Sequence, residues 1–305
     1  MLTPQGLQQR SNLLQAIRSF FIDRAYIEVD TPLRLPVLLP ESNIVPFTSE
    51  DWFLQTSPEL CMKRLLARGC TRIFQICHCF RKEESGQIHQ PEFAMLEWYH
   101  KGWDYFDLMQ ECEALLSSLC QLFPRMPDSN PDSTLCWQDS RVSMTPPWDR
   151  LTVTEAFRQY ADVDVAEVLA QGSFDEVLVT AVEPHLGQER PVFLYDYPVE
   201  LGSLARCNRN NPQVAERFEL YIAGLELANG FSELVDPQEQ RHRFVLEIER
   251  LRVAKKDAAM PEHFLAELAA VGETAGIALG LDRLFMLLMG CPHIAAAMPF
   301  IFEEL

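Results

Sequence analysis

The stretch from Ile73 to Tyr99 constrains the fold more than any other part of the chain. Each end of it alternates between residue types with a period of two, which is typical of strands, and a polar loop lies between the ends. The alternation gives the two strands one common face, with Cys77, Cys79, Arg81 and Glu83 from the first and Phe93, Met95, Glu97 and Tyr99 from the second. The sequence therefore predicts a hairpin with a buried apolar face and an open face.

The open face of this hairpin carries groups that suit a nucleotide. An arginine can bind a phosphate through two parallel hydrogen bonds, a carboxylate can accept from an exocyclic amine, and an aromatic ring can stack on a base. The same residues also fit an amphipathic surface hairpin, in which an Arg-x-Glu pair is merely solvated. Taken alone, the hairpin leaves both interpretations open.

Composition limits the classes of protein that fit. The chain has 305 residues, 48% of them hydrophobic, so it can bury a large core as one large domain or two. We expect a cytoplasmic protein outside the membrane, because no apolar stretch reaches membrane-spanning length and no export signal begins the chain. The formal net charge of -18 argues against broad nucleic-acid binding, since phosphate contacts supply most of that affinity.

The nine cysteines are best interpreted as reduced thiols. Cys77 and Cys79 flank His78, a pattern that raises the question of a metal site. Residues two apart in a strand share a face and usually pack together, and no CxxC or HxxxH pattern supports a metal. We therefore expect no zinc.

A second hairpin is predicted between Arg217 and Leu234, with its turn at Ala223 and Gly224. It contains two glutamates, Glu219 and Glu226, which would lie near each other across the strand pair. Like charges this close destabilise the strand pair unless a cation between them offsets the repulsion, and magnesium carried by a nucleotide would be such a cation. The alternative is a pair of ordinary surface glutamates. A flat strand would put Asn229 and Glu226 on opposite faces, so we expect a bulge at Gly230.

A third segment, Glu273 to Gly290, combines a strand with a helix. Small residues and one aspartate share a face of the predicted strand, namely Gly276, Ala278, Gly280 and Asp282. Such a face forms a shallow floor on which a flat ligand can lie. Arg283 then opens the following helix.

Cap residues and prolines predict where helices begin. Thr3 and Pro4 predict the start of the first helix, and Ser57 is expected to cap a helix whose first turn contains Pro58 and Glu59. A carboxylate in a first helical turn is favoured by the helix dipole even without another role, so Glu59 also has a purely structural interpretation.

Two later segments are assigned from pattern and composition. A helix is predicted for residues 101–122. Residues 123–148 are rich in Pro, Ser and Asp, and we interpret them as a connecting insertion rather than a domain boundary. The apolar run from Val192 to Tyr197, which Pro198 ends, predicts a buried strand.

In the first hairpin, the order FRxE, then HxPEF, then LEWY resembles motif 2 of the class II aminoacyl-tRNA synthetases, most closely the lysyl branch. The resemblance implies that Arg81 holds the α-phosphate of ATP and the substrate carboxylate. It also implies that Glu83 binds the adenine amine and that Phe93 stacks on the adenine. Gln90 stands where the lysyl enzymes usually carry asparagine, and we still expect it to contact ATP.

The other segments resemble further parts of the same family. The first helix, with its strand and Pro32, resembles motif 1, which forms the dimer interface in that family, and residues 273–290 resemble motif 3. The arginine of motif 3, here Arg283, would hold the γ-phosphate. One departure concerns Ala278, because lysyl-tRNA synthetases usually have glycine there.

The resemblance implies a complete set of site residues. ATP would be bound by Arg81, Lys82, Glu83, Gln90, Phe93, Glu226, Leu227, Gly280 and Arg283, with Arg81 and Arg283 catalytic. The amino acid would be bound by Ser57, Pro58, Glu59, Tyr99, Asn229, Glu233 and Ala278. Within that set, Asn229 would meet the substrate carboxylate and Glu233 its distal amine. Magnesium would be held by Glu219 and Glu226.

The fold implied by the resemblance is α+β, a class II synthetase catalytic domain over residues 1–305 with an antiparallel sheet flanked by helices. The implied reaction is ATP-dependent activation of lysine or β-lysine to an aminoacyl adenylate, with release of pyrophosphate. The carboxylate is already a nucleophile, so catalysis would come from alignment and charge neutralisation by arginines and magnesium.

The expected acceptor of the activated amino acid depends on a domain that the sequence does not contain. No anticodon-binding barrel precedes motif 1, so the chain is similar to the truncated lysyl-tRNA-synthetase paralogues. Those are ligases that transfer (R)-β-lysine to a lysine side chain of elongation factor P. We expect the same partner, a homodimer and little tRNA binding. The alternatives are a tRNA-charging enzyme and a non-catalytic sensor of an amino acid, although a sensor would not need the full set of phosphate-binding and metal-binding groups.

Overall fold

The strand pair predicted around residues 73–99 is part of an eight-stranded sheet. This arrangement is seen in a computed structural model that describes residues 2–123, 134–256 and 258–301. The predicted hairpin is confirmed, because the two strands pair antiparallel with Cys77 directly opposite Met95. The first strand ends at Phe80, however, because the chain turns there, so Arg81 and Glu83 lie in the connecting loop and not on the strand face.

Strands in the described part of the chain are numbered in order. They are β1 (Ile27–Glu28), β2 (Arg34–Leu35), β3 (Thr48–Ser49), β4 (Trp52–Leu54), β5 (Arg72–Phe80), β6 (Glu92–Lys101), β7 (Thr134–Trp137), β8 (Ser140–Ser143), β9 (Asp149–Thr152), β10 (Val192–Pro198), β11 (Val214–Ile222), β12 (Leu225–Ser232) and β13 (Thr274–Gly280). The large sheet has the order β1-β5-β6-β13-β12-β11-β10-β9. Its two outermost pairs are parallel and the pairs between them antiparallel.

The helices are numbered in the same way. They are α1 (Pro4–Ile22), α2 (Glu59–Ala67), α3 (Tyr105–Leu122), α4 (Val153–Ala161), α5 (Val165–Gln171), α6 (Phe174–Val177), α7 (Pro237–Val253), α8 (Glu262–Glu267) and α9 (Leu281–Met289). The sheet and these helices confirm the α+β class with a mainly antiparallel sheet flanked by helices. Of the described helices, none is both long and apolar enough to cross a membrane.

One face of the sheet is closed by α1, α3 and α9. The apolar sides of these helices bury Leu13, Leu108 and Phe285 against the sheet residues Phe74 and Trp98. Thr3 caps α1 as predicted, because its hydroxyl accepts a hydrogen bond from the backbone N–H of Gly6 at 3.1 Å. On the other face, α2, α7 and α8 pack near Tyr99 and α4 to α6 pack on β10, and a cleft that exposes Met95, Glu97 and Tyr99 remains between them.

Two predicted helix boundaries were wrong. The helix expected from residue 101 begins at Tyr105, because β6 continues to Lys101 and Asp104 provides a reciprocal cap for α3. Ser57 does not cap α2, since Pro58 takes the cap position and makes no side-chain hydrogen bond there. Ser57 instead lines a cavity.

The segment interpreted as an insertion, residues 123–148, lies partly outside the described residues. Residues 134–148 contain a small antiparallel hairpin of β7 and β8, with Leu135 opposite Val142. Both side chains are buried in the main core, and Trp137 donates to the carbonyl oxygen of Cys291 at 2.8 Å. This part of the segment therefore packs against the α9 side of the domain.

Candidate active site

Two neighbouring cavities open on the face of the sheet opposite α1, α3 and α9. The first has a volume of about 260 Å³ and the second about 710 Å³. They share four wall residues, Arg81, Met95, Asn229 and Ala278. A ligand in one cavity would therefore touch a ligand in the other at this common wall.

The first cavity gathers most of the residues assigned to ATP. They are Arg81, Gln90, Phe93, Glu226, Leu227, Gly280 and Arg283. The guanidinium of Arg81 lies 5.2 Å from the centre of the Phe93 ring, a cation–π distance. The structure therefore places a positive charge and an aromatic ring on neighbouring walls of one cavity.

Two residues assigned to ATP do not line this cavity. Lys82 and Glu83 are exposed in the loop after β5, and neither contributes to either cavity wall. Glu84, which sequence reasoning did not select, lines the first cavity and accepts a hydrogen bond from Arg81 at 3.3 Å. In a loop the period of two no longer predicts which way a side chain points. The carboxylate that faces the cavity is therefore that of Glu84, one position after Glu83.

Arg283 is held at the other end of the first cavity. Its guanidinium donates to the carbonyl oxygens of Ile88 at 3.2 Å and Glu226 at 2.8 Å. It also lies 2.5 Å from Nε2 of His89. Burial and the nearby Arg283 lower the pKa of His89, so the imidazole is neutral and accepts from the guanidinium. Arg283 is therefore fixed by the loop of the first hairpin.

Asp282 has a structural role although it borders the first cavity. Strand β13 ends at Gly280, so Asp282 lies in the first turn of α9 and not on the strand face that the alternation predicted. Its carboxylate accepts from the backbone N–H of Ala94 at 2.7 Å and pairs with Arg10 at 2.6 Å. It thereby ties α9 to β6 and α1.

The second predicted hairpin is confirmed, with Ala223 and Gly224 as its two-residue turn. Both have positive φ, 53° and 75°, as a type I′ turn requires. Glu219 lies opposite Asn229, and Glu226 lies opposite Tyr221. The two carboxylates are near enough that repulsion from Glu219 contributes, after burial, to a raised pKa of Glu226.

The bulge predicted at Gly230 lies elsewhere. Gly230 pairs regularly with Phe218, and the register shifts at Leu227, which has no partner of its own. The extra residue turns Glu226 and Asn229 to the same face, so both line the first cavity. Gly230 is instead required by packing, because a Cβ there would lie 2.7 Å from the Phe218 ring.

The two carboxylates assigned to magnesium differ in how many contacts they already make within the protein. Glu219 is buried, and its carboxylate accepts from Tyr197 at 2.5 Å, Tyr221 at 2.7 Å and Arg217 at 2.7 Å. The Glu226 side chain is 40% exposed and its nearest cation is Arg283, at 3.6 Å. The described residues contain no group of three or more His, Cys, Asp or Glu ligands. A divalent ion would therefore need a ligand's own oxygens, which suits magnesium carried by phosphates.

The second cavity gathers most of the residues assigned to the amino acid. They are Ser57, Glu59, Tyr99, Asn229 and Ala278, together with Glu219. Pro58 and Glu233 do not line it. The carboxylate of Glu233 is buried beside Tyr99 on the same side of Gly276, where an added Cβ would come within 2.6 Å of its Oε1 and 2.3 Å of the Tyr99 ring. Glycine at this position allows the ring and the carboxylate to approach the strand.

A buried lysine, which sequence reasoning missed, joins two of the predicted carboxylates. The side chain of Lys63 in α2 is 1% exposed and its ammonium forms ion pairs with Glu59, at 2.5 Å, and with Glu233. In sequence, a lysine on an amphipathic helix looks like an ordinary solvated residue, which is why the pattern gave no signal. The i, i+4 spacing from Glu59 was the available hint.

Glu97 and Arg217 are further site residues outside the predicted set. Glu97 is 2% exposed, lines the second cavity and accepts a hydrogen bond from the Tyr99 hydroxyl at 2.5 Å. Arg217 also lines it and donates to Asn229 at 3.2 Å. Glu97 shares the open face predicted for β6, so the alternation had already placed it beside Tyr99.

The two cavities together can hold a polyanion next to an ammonium compound. Arginines at both ends of the first cavity suit phosphates, whereas the second cavity and the groups next to it are rich in carboxylates. Arg81 lies at the junction, where a carboxylate and a phosphate would meet. The arrangement suits the joining of an amine-bearing acid to a nucleotide phosphate.

Comparison with known proteins agrees with this geometry. The family described as tRNA synthetases class II (D, K and N) matches residues 3–303. An elongation factor P–(R)-beta-lysine ligase of Salmonella arizonae is 37% identical, over 97% of this chain and 94% of the relative. Ligases of the same name from Vibrio atlanticus and Edwardsiella ictaluri are 36% and 38% identical, over 98% and 97% of this chain and 96% and 94% of their own.

Proposed function

Because the chain belongs to the class II tRNA synthetase family (D, K and N), we propose that it activates (R)-β-lysine with ATP and transfers it to a lysine side chain of elongation factor P. The near full-length similarity to ligases of that name supports the substrate and the acceptor. The single observation that carries the chemistry is the common wall of the two cavities, with Arg81 at their junction.

In the first step the substrate carboxylate attacks the α-phosphorus of ATP and pyrophosphate leaves. The carboxylate is ionised at neutral pH, so no general base is required. Arg81 would hold the carboxylate and the α-phosphate together, and Arg283 would hold the far end of the triphosphate. Both guanidinium groups neutralise charge that grows in the transition state, which is usually the largest catalytic contribution in such sites.

Magnesium is part of this proposal. The partly exposed carboxylate of Glu226, together with that of Glu219, would bind the ion along with phosphate oxygens. When bound, the ion supplies Lewis-acid polarisation of the phosphates. Arg217 already donates a hydrogen bond to the carboxylate of Glu219 at 2.7 Å, so we expect Glu226 to be the main protein ligand of the magnesium ion.

The second step joins the activated acid to the acceptor. The neutral amine of the acceptor lysine attacks the carbonyl carbon of the adenylate. The bond from that carbon to the phosphate oxygen breaks, an amide forms, and AMP leaves with the bonding electrons. One proton of the attacking amine is lost to solvent.

The amine groups of the substrate would lie in the second cavity. Tyr99 and Glu97 face it, and the buried carboxylate of Glu233 lies beside Tyr99 next to Gly276. We propose that these groups bind the distal ammonium and that Glu59 binds the amine near the carboxylate. Asn229, at the common wall, would contact the substrate carboxylate.

The decisive experiment is a transfer assay followed by intact mass spectrometry. The purified protein is incubated with ATP, magnesium, one lysine isomer and elongation factor P. We expect the mass of elongation factor P to increase by one lysyl group, most efficiently with (R)-β-lysine. An unmodified factor beside efficiently charged tRNA would overturn the proposal in favour of a tRNA-charging enzyme.

We also propose a homodimer, formed through the α1–β1 region. Ile22, Ile27 and Leu33 are exposed apolar side chains there, with 56%, 57% and 44% of their surface accessible. Exposed apolar side chains at a surface favour association when a partner covers them. Sedimentation of the wild type should give twice the mass of one chain, and Ile27→Asp should shift it toward one chain.

A further inference from the structure

Three sulfur atoms lie together beside the common wall of the two cavities, and we call Cys77, Cys79 and Met95 the sulfur triad. Sγ of Cys79 lies 4.0 Å from Sγ of Cys77 and 3.8 Å from Sδ of Met95. All three side chains are buried, and Phe93 and Ala278 pack against them. The triad therefore borders the proposed reaction site, although the proposed reaction uses none of its sulfurs.

The sheet itself brings the triad together. Cys77 and Cys79 are two residues apart in β5 and therefore share a face. Met95 lies directly opposite Cys77 in β6, so its long side chain stands on the same face and reaches Cys79 diagonally. Two paired strands thus hold the three sulfurs in place.

The distances between the sulfurs suit one shared ion. A bond from a thiolate to a metal is about 2.3 Å long, so sulfurs arranged in a triangle around one ion lie about 4 Å apart. The separations of 4.0 Å and 3.8 Å agree with this value. A disulfide fits less well, because residues two apart in a strand have Cα atoms about 6.6 to 6.8 Å apart, the upper limit for that bond.

The kinds of sulfur in the triad indicate which ion fits. Soft thiolate and thioether ligands together select Cu(I). Structural zinc sites take four ligands, usually Cys and His, whereas the triad has two cysteines and a methionine. Methionine is absent from the sequence patterns that signal zinc, which is why the search for CxxC and HxxxH did not find this group.

A buried amide next to the triad indicates a further contact. Gln75 precedes Cys77 on the same face of β5, and its side chain is 1% exposed. Among the residues that the structure describes, neither Nε2 nor Oε1 of Gln75 has a hydrogen-bond partner. Buried polar atoms are normally paired, and ligands of a metal are normally supported by hydrogen bonds from neighbouring groups. A thiolate of Cys77 would give the amide of Gln75 an acceptor.

We propose that Cys77, Cys79 and Met95 bind one Cu(I) ion and that the bound ion obstructs the common wall of the two cavities. The two thiols lose their protons to solvent, and each of the three sulfurs donates an electron pair to the ion. Met95 lines both cavities, so an ion that fixes its side chain prevents it from moving aside for a ligand. Binding of the ion is independent of the proposed function, and only its effect on the reaction rests on that function.

Competition with a coloured chelator counts the bound ions. The reduced protein is added, without oxygen, to Cu(I) held by bicinchoninate, and the fall in absorbance of that complex measures the Cu(I) taken by the protein. The wild type should take one equivalent more than Cys79→Ala, which lacks the central sulfur. Cys120→Ala is the matched control, because it removes a half-buried thiol of α3 on the other side of the sheet. Its count should equal that of the wild type.

Met95→Leu covers the case in which Cys79→Ala fails to fold. Leucine keeps the apolar volume but lacks the thioether sulfur. Loss of even an outer contact of a metal site typically costs about tenfold or more in affinity, so loss of this ligand should weaken Cu(I) binding at least as much. X-ray absorption should show three sulfur neighbours of the ion in the wild type and two in this variant. Wild-type affinity and count in either variant would overturn the site.

The effect on the reaction is measured separately. One equivalent of Cu(I) should lower lysine-dependent pyrophosphate exchange by the wild type, and excess chelator should restore it. Cys79→Ala should retain its own rate under the same treatment, and equal inhibition of both proteins would overturn the proposed obstruction. A protein that shows no exchange at all would refute the proposed function, while the count of bound Cu(I) would still test the site.

Discussion

Arg81 lines both cavities, and its present contacts are weak enough to be exchanged. It donates to the carbonyl oxygen of Thr56 and to Glu84, each at 3.3 Å, and both contacts are long. A bidentate contact with a phosphate or carboxylate would be shorter and stronger. The guanidinium is therefore available to a ligand, unlike that of Arg217, which is bound to Glu219.

We expect Arg81→Ala to abolish pyrophosphate exchange that depends on lysine or β-lysine. Loss of a charge-assisted contact that strengthens in the transition state should cost about 3 kcal/mol or more. Arg68→Ala is the matched control, because that arginine is largely exposed and, among the residues that the structure describes, pairs only with Glu267, at 3.6 Å. Exchange at the wild-type rate in the Arg81 variant would contradict the role assigned here.

Ala278 should influence which isomer is accepted. It lies on the common wall of both cavities, opposite Glu97 in β6 and Asn229 in β12. In the proposed binding mode, its methyl group would narrow the floor near the substrate α-carbon, where an α-amino acid carries an amine and a β-amino acid does not. We expect Ala278→Gly to raise activity with α-lysine relative to β-lysine, by the equivalent of roughly 1 to 3 kcal/mol. Initial exchange rates with both isomers measure this ratio, and an unchanged ratio would rule out the steric explanation.

For single residues, the sequence predicted side-chain direction best on regular strands. Phe93 and Tyr99 face the cavities as the period of two required, and Glu97 was placed beside them. The prediction was less successful in the loop after β5, where Glu84 replaces Glu83 at the wall. Lys63 was out of reach, because its importance depends on Glu233, which is distant in sequence and meets it only in the folded chain.

At the scale of single elements, the bulge in β12 determines what the second hairpin can do. The extra residue Leu227 turns Glu226 and Asn229 to one face. Sequence reasoning correctly required a bulge but assigned it to Gly230, since glycine is the usual signal for one. The glycine is explained instead by the Phe218 ring packed against it, a contact that the local sequence does not reveal.

Gly230→Ala should therefore destabilise the fold. The added Cβ would lie 2.7 Å from the Phe218 ring and 2.9 Å from the Cβ of Ile277. Overpacking of this kind typically costs about 1 to 3 kcal/mol, and the midpoint of urea unfolding should fall accordingly. Gly86→Ala is the control, because nothing lies within 4 Å of a Cβ at that position. Equal midpoints for the two variants would show that the strand relaxes without cost.

For the whole molecule, the order of the three motifs allowed the fold class to be predicted. The central strands, β5, β6, β11, β12 and β13, all arise from segments that the sequence singled out. The edge strands were less visible. Strand β9 lies parallel to β10 and spans only Asp149–Thr152, too short for a period of two to show. Short edge strands are fixed by their neighbours in the sheet rather than by their own pattern.

The charge of the whole chain bears on the choice of acceptor. The chain contains 44 Asp and Glu residues but 26 Lys and Arg residues, so its net charge is strongly negative. Long-range repulsion should therefore slow the approach of a polyanion such as tRNA. We expect the wild type to modify elongation factor P and leave tRNA almost uncharged when both are present at equal concentration with β-lysine. Intact mass spectrometry of the factor and acid precipitation of labelled tRNA measure the two products in one reaction. If tRNA charging exceeds modification of the factor at low salt, where repulsion is strongest, the acceptor assigned here is wrong.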